Sequence, residues 1–154
     1  GLGDVYKRQC TPRMMEVQNG HIYFRMHTEA DKYLSKEVQN RKDVDYDRPF
    51  RVQTTLKEGD VLDIGGYRIY VEEDCVKADR SRVFGNRKNY RMVSSTPQLK
   101  GSYGLDIVVD KNLIEIFVNN GEYVISNVVY NLQRELTGPI EKILAGWDDE
   151  NEKK

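Results

Sequence analysis

The chain has 154 residues and a mass of 17.9 kDa, enough for one domain with its own core and too short for two comfortable ones. Its 24 basic and 25 acidic side chains nearly cancel to a net charge of −1. That balance argues against a general nucleic-acid binder, which would carry a basic excess or stripe. No apolar run approaches the roughly 18–20 residues that a membrane-spanning helix needs.

The first nine residues, GLGDVYKRQ, read as a translated library-adaptor scar, outside any fold reasoning. No Met stands at position 1, and the chain reads as a fragment without its upstream part. The stretch MMEVQNGHIYFRM then places Asn19-Gly20 between two short runs, a strong hairpin signal. TEADKYLSKEVQNR is the one candidate for a short helix, though it has no clean apolar stripe. FRVQTTL alternates from Phe50 through Val52 and Thr54 to Leu56, and stops at Glu58-Gly59-Asp60. DVLDIGGYRIYVEEDCVKAD predicts a strand pair around Gly65-Gly66, with Ile69 and Val71 on one face. LDIVVDKNLIEIFVNNGEYVISNVVY, residues 105–130, supplies the last three predicted strands, with turns at Lys111-Asn112 and Asn119-Asn120-Gly121. GWDDENEKK closes the chain as a polar tail. Strands at this spacing with turn residues between them predict an all-β, two-sheet antiparallel β-sandwich in one domain.

Few residues suit metal or redox chemistry. Cys10 and Cys75 have no CxxC spacing, and His21 and His27 lie far from both. Two unrelated thiols are expected; a disulfide is the alternative in an oxidising compartment. No metal site and no cofactor is implied.

Asp110 and Glu115, five residues apart in an apolar run, raise the question of an acid/base pair. On one strand they would face opposite sides about 16 Å apart. Across a turn at Lys111-Asn112, Asp110 would end one strand and Glu115 would lie two residues inside the next. Neither arrangement suggests the roughly 5–5.5 Å or 6.5–9.5 Å carboxylate pairs of glycosidases. Asp110 is expected to serve the turn through its side-chain oxygen.

The same run resembles the signature hairpin of the C-terminal sandwich of glycoside hydrolase family 32, the invertases, levanases, inulinases and sucrose-6-phosphate hydrolases. The matching positions are Leu105, Ile107, Val109, Asp110, Glu115, Phe117, Asn119, Gly121 and Glu122; Asn112 stands where the family often has Ser, and Ile114 where it has Val. TPRMMEVQNGHIYFRM is similar to the segment leading into that sandwich, through Pro12, Arg13, Gly20 and Tyr23. VKADRSRVFG resembles a third segment, through Asp79, Arg80 and Ser81. The three occur in the family's order over about residues 10–135.

The resemblance implies a concanavalin- or lectin-like sandwich. It divides the chain into residues 1–9 as scar, 10–25 as connection and first strands, 26–135 as the sandwich module, and 136–154 as C-terminal end and polar tail. It implies a five-bladed catalytic propeller N-terminal to the sandwich as partner, with sucrose or fructan as ligand and, in some members, a homodimer. The family's catalytic motifs resemble W-M-N-D-P-N-G, R-D-P and E-C, and none occurs in the chain. Asp47-Arg48-Pro49-Phe50 only scrambles the second. No catalytic residue is therefore transferred. Asp79, Arg80, Ser81, Asp110, Glu115, Phe117, Asn119, Gly121 and Glu122 are carried over as structural signature positions.

Other constellations have bland readings. Asp43, Asp45 and Asp47 begin like a calcium loop, but Arg48 and Thr54 stand where Gly and a bidentate Glu belong. Glu72 to Asp74 reads as a hairpin shoulder, and the Lys/Arg cluster around residues 80–91 as a charged loop. Ten tyrosines suit either core positions or an aromatic sugar platform, the core being the expected use. Three functions compete: an accessory sandwich of a sucrose- or fructan-hydrolysing enzyme, a free-standing carbohydrate-binding module, and a small complete enzyme. The first is expected. It further implies that Phe117, opposite Ile114, Ile116 and Val118 on its strand, belongs to an exposed apolar patch that a catalytic domain would cover.

Overall fold

The computed structural model describes residues 11–85 and 89–147. Arg13–Gln18 (β1) and His21–Met26 (β2) pair as a hairpin whose turn residues, Asn19 and Gly20, both adopt positive φ. That is the geometry Asn-Gly favours in a two-residue turn. One short helix follows, Thr28–Tyr33 (α1), capped by the His27 ring accepting from the Glu29 N–H. The rest of the expected helix is instead a strand, Leu34–Val38 (β3). Without an apolar stripe a longer helix would bury nothing, whereas β3 pairs with a distant strand and buries Leu34.

The remaining strands are Phe50–Thr55 (β4), Val61–Ile64 (β5), Tyr67–Glu72 (β6), Cys75–Asp79 (β7), Val93–Ser95 (β8), Gly104–Asp110 (β9), Leu113–Val118 (β10), Tyr123–Val128 (β11), Leu136–Thr137 (β12) and Lys142–Gly146 (β13). They form two antiparallel sheets, one ordered β11-β10-β9-β4-β13-β3 and the other β12-β5-β6-β7-β8. The fold is an all-β sandwich. The stretch 105–130 is not its last element: β12 and β13 follow, and β13 inserts between β4 and β3. The sheet therefore continues past residue 135.

Period-2 alternation builds the core between the sheets. Val52, Ile107, Ile114, Ile116 and Val118 point inward from the six-stranded sheet to meet Leu62, Ile64, Ile69, Val76 and Ala78 from the other, all essentially solvent-free. Each Val, Leu or Ile among them contributes roughly 1.5–3 kcal/mol on burial.

A smaller cluster lies on the outer face of the six-stranded sheet. Met26 and Leu34 cover Val108 and Phe117 there, with Ala30, Tyr33 and Val124 around them. β10 is consequently buried on both faces along its whole length. A register shift between Ala145 and Gly146, opposite β3, lets Leu34 reach this outer cluster while Val38 packs on the main core.

This corrects the expectation for Phe117. It is 3% exposed, covered by the chain's own β2 and α1 region rather than open to solvent. The most exposed apolar residues described are on the hairpin itself: Met15 is 68% exposed and Val17 64%, with Ile22 and Phe24 also open. Met15 pairs with Phe24 and Val17 with Ile22, so the four share one face.

Candidate functional site

The centre of the signature is the β9–β10 hairpin. Asp110 pairs directly with Leu113 across the two-residue turn, and Lys111 carries the positive φ that the turn requires. Glu115 lies two residues beyond Leu113 and so shares its face. Asp110 and Glu115 are thus diagonal neighbours on the outer face, roughly 7–8 Å apart in backbone terms, and not turned away from each other as a single strand would have them.

They still make no acid/base pair, and burial is the reason. Glu115 is 1% exposed, and both its oxygens are taken. Oε1 accepts from the Thr11 backbone N–H at 2.6 Å, and Oε2 from Arg13 Nη2 at 2.5 Å. That leaves no room for a water or a sugar oxygen. The Asp110 carboxyl is pushed above its usual range by burial, opposed by Lys111 and reinforced by Glu115. Among the described residues its side chain accepts no hydrogen bond from the turn, so the expected capping role is not what it does.

Arg13 completes a latch. The same Nη2 donates to Ser126 Oγ at 2.8 Å, and the guanidinium stands 5.7 Å from the centre of the Phe117 ring. Pro12 adds a backbone clamp, its carbonyl accepting from the His27 N–H. The segment 11–13 is thereby fixed to β10 and β11, a hundred residues away.

Beyond β10 the chain turns through Asn119-Asn120-Gly121, all at positive φ. Asn119 Oδ1 accepts from the Gly104 N–H at 3.0 Å, and its Nδ2 donates to the Ser102 carbonyl and to Glu122 Oε1. Gly121 lies against β2: a Cβ there would collide with the Phe24 carbonyl oxygen. Glu122 offers its backbone carbonyl to the His21 Nε2 at 2.6 Å, and His21 meets the Tyr123 ring edge-on. Gly121 and Glu122 thus join the turn to the N-terminal hairpin, whereas Asn119 ties it to the start of β9.

A second buried ion cluster was not foreseen. Arg51, on the outer face of β4, is gripped by both oxygens of Asp106 through Nε and Nη2, and Nη1 reaches Asp31 on α1. Burial pulls its basicity down, but the hydrogen bonds and charges of Asp106 and Asp31 outweigh that and leave it above the ordinary guanidinium range. The only sequence signal was an Arg at an outward position of an alternating strand, beneath a segment read as helix.

The third signature segment also binds structure to structure. Asp79 Oδ1 accepts from the Ser81 N–H, and Arg80 donates twice to the Arg91 carbonyl and once to that of Val128. Its guanidinium lies 3.8 Å from the Phe84 ring centre, a stacked cation–π contact. Asp45 accepts from the Asp47 N–H, and Asp47 pairs with Arg134. Among the tyrosines, Tyr67 and Tyr103 are buried, Tyr67 donating to Asn127 Oδ1 at 2.6 Å; Tyr90 is the exposed one among the described residues. Cys75 is half-buried on β7, whereas Cys10, residues 86–88 of the charged loop and the tail beyond Trp147 lie outside the described residues.

Fold and site together define a β-sandwich in which Asp79, Arg80, Glu115 and Asn119 of the signature bind one part of the chain to another. The model of the C-terminal domain of glycosyl hydrolases family 32 matches residues 25–139, and the chain belongs to that family. The solved structure of sucrose-6-phosphate hydrolase from Lactobacillus gasseri shares the fold, with a TM-score of 0.68 at 15% identity. The likeness covers 88% of this chain and 33% of that one, so the chain spans about a third of that protein's length. None of the curated proteins compared with the chain matches it.

Proposed function

We propose that this chain is the non-catalytic sandwich of a β-fructofuranosidase-type glycoside hydrolase, and that it supports a catalytic propeller by packing. The observation that carries the reading is the family match over residues 25–139. The geometry supports it at one end of the molecule: residues 11–13 are latched to the signature hairpin, and the adjoining β1–β2 hairpin presents Met15, Val17, Ile22 and Phe24 as an apolar face. A face of this kind suits a domain interface. Substrates of the sucrose and fructan class belong to the whole enzyme in this reading, and the sandwich contributes stability and orientation.

The test supplies a family 32 catalytic propeller in trans. The chain alone is expected to release no fructose from sucrose, inulin or levan oligosaccharides. It is expected to associate with the propeller, and Val17→Lys with Ile22→Glu to abolish that association. Hydrolysis by the purified chain, or association indifferent to the two charges, would overturn the proposal.

A further inference from the structure

Two Asn-Gly steps lie among the described residues, Asn19-Gly20 at the tip of the β1–β2 hairpin and Asn120-Gly121 in the turn between β10 and β11. In each the asparagine has positive φ and is exposed. Among the described residues neither side-chain amide makes a hydrogen bond.

Such a step carries its own chemistry. The backbone nitrogen of the glycine can attack the asparagine Cγ, because the glycine has no side chain to shield it. An N–Cγ bond forms, and the amide nitrogen leaves as ammonia with the proton that the glycine nitrogen gives up. A succinimide remains, which water opens. Addition of water at Cγ gives Asp; addition at the former backbone carbonyl gives isoaspartate, with the chain rerouted through the side-chain carbon.

Ring closure requires the glycine nitrogen and the asparagine side chain on the same side of the Cα–C bond. At Asn120, with φ 60 and ψ 29, they stand on opposite sides. The peptide between Asn120 and Gly121 must turn over before it can react. Gly121 has no room for that: it is buried, and the Phe24 backbone of β2 fills the place where a Cβ would be. The neighbouring Glu122 carbonyl is held by His21 Nε2 of the same strand.

At Gly20 the corresponding space is empty, with no atom within 4 Å of an added Cβ. That turn must open too, but it closes a two-stranded sheet that pairs with no other described strand. A lone hairpin is marginally stable, and fraying at its tip costs little. Two identical steps are thus held to very different degrees.

We propose that Asn19 is a self-modification site of the folded protein, deamidating to Asp and isoaspartate, and that β2, packed on Gly121, shields Asn120 from the same reaction. The product at Asn19 adds a negative charge to the hairpin that carries Val17 and Ile22. Isoaspartate also lengthens the turn by a backbone carbon, which no longer fits the register that a two-residue turn sets. The reaction needs only water, so it is independent of the accessory-domain reading.

The test incubates the full chain at mildly alkaline pH, folded and in urea, and follows both sites by peptide mass spectrometry after digestion at acidic pH. A carboxyl methyltransferase specific for isoaspartate labels the rearranged product. In the folded chain Asn19 is expected to convert and Asn120 to lag by about tenfold or more, the protection that a modest local opening cost supplies. In urea the two are expected to convert at similar rates. Arg13→Met frees residues 11–13 from β10, and is expected to raise the Asn120 rate of the folded chain severalfold while leaving the urea rates unchanged. Similar conversion of the two sites in the folded chain, an Asn19 that reacts only in urea, or an Asn120 rate indifferent to Arg13→Met would each overturn the proposal.

Discussion

At the residue scale the most consequential side chain is Glu115, an ionisable group placed where a hydrophobic one would be ordinary. Its charge is tolerated because Arg13 and the Thr11 N–H reach it; removing one partner of such a pair leaves an uncompensated buried ion. Arg13→Met is therefore expected to lower stability by about 3 kcal/mol, read as a shift of the urea midpoint without a change of slope. A loss within the range of a surface ion pair would mean that solvent reaches Glu115 once Arg13 is gone. Asp110 next to it behaves differently. Its folded-state pKa is raised, so the stability linked to its protonation is fully present below the ordinary carboxylate range, and is lost as pH rises through the raised value. Asp110→Asn is expected to flatten that part of the pH–stability curve and to be at least as stable as the parent at neutral pH. A variant that is less stable at neutral pH would show that the ionised carboxylate is useful there.

At the scale of elements, the turn between β6 and β7 is the clearest case of sequence and backbone in disagreement. Glu73 and Asp74 both adopt positive φ, at 52° and 62°, without a glycine or asparagine to favour it. Asp74 is retained by other bonds, since its carboxylate accepts from the Tyr103 hydroxyl and its carbonyl from the Leu99 N–H. Glu73 contributes its backbone N–H to Glu58, which any residue could do. Glu73→Asn is expected to stabilise the domain by about 0.5 kcal/mol, measurable by thermal unfolding. The elements that the sequence showed plainly were those with local signals. Asn19-Gly20 announced the first hairpin, and the alternating β4, β5–β6 and β9–β10–β11 runs each carried their own period. β3, β8, β12 and β13 were not legible, because they are short and take their meaning from a neighbour distant in sequence. The signature residues were visible by resemblance alone. Their roles required the register, since only pairing across the turn places Asp110 and Glu115 on one face and brings segment 11–13 over them.

At the scale of the whole molecule, the apolar face predicted around Phe117 is displaced outward by one layer. The chain's own helix and hairpin cover Phe117, and the hairpin then shows Met15, Val17, Ile22 and Phe24 to solvent. The isolated domain is expected to bind a hydrophobic dye and to self-associate at high concentration. Val17→Lys with Ile22→Glu is expected to suppress both, as seen by fluorescence and by sedimentation. Unaltered dye binding in that variant would place the sticky surface elsewhere, with exposed Val93 and Trp147 the next to try.

The position of β13 has a bearing on how the protein is made. β3, near the start of the sandwich, has β13 as its one ladder neighbour among the described strands, and β4 depends on β13 for one of its two. A ribosome delivers residues 142–146 about a hundred positions after β3. Throughout that interval one sheet has a loose strand and an open edge, the condition that favours pairing with a second nascent chain. Ending the chain after Glu141 would make the interval permanent. Such a product is expected to accumulate as insoluble aggregate, while one ending after Trp147 stays in solution; equal solubility of the two would mean that β4 and β9 protect themselves without the strand that arrives last.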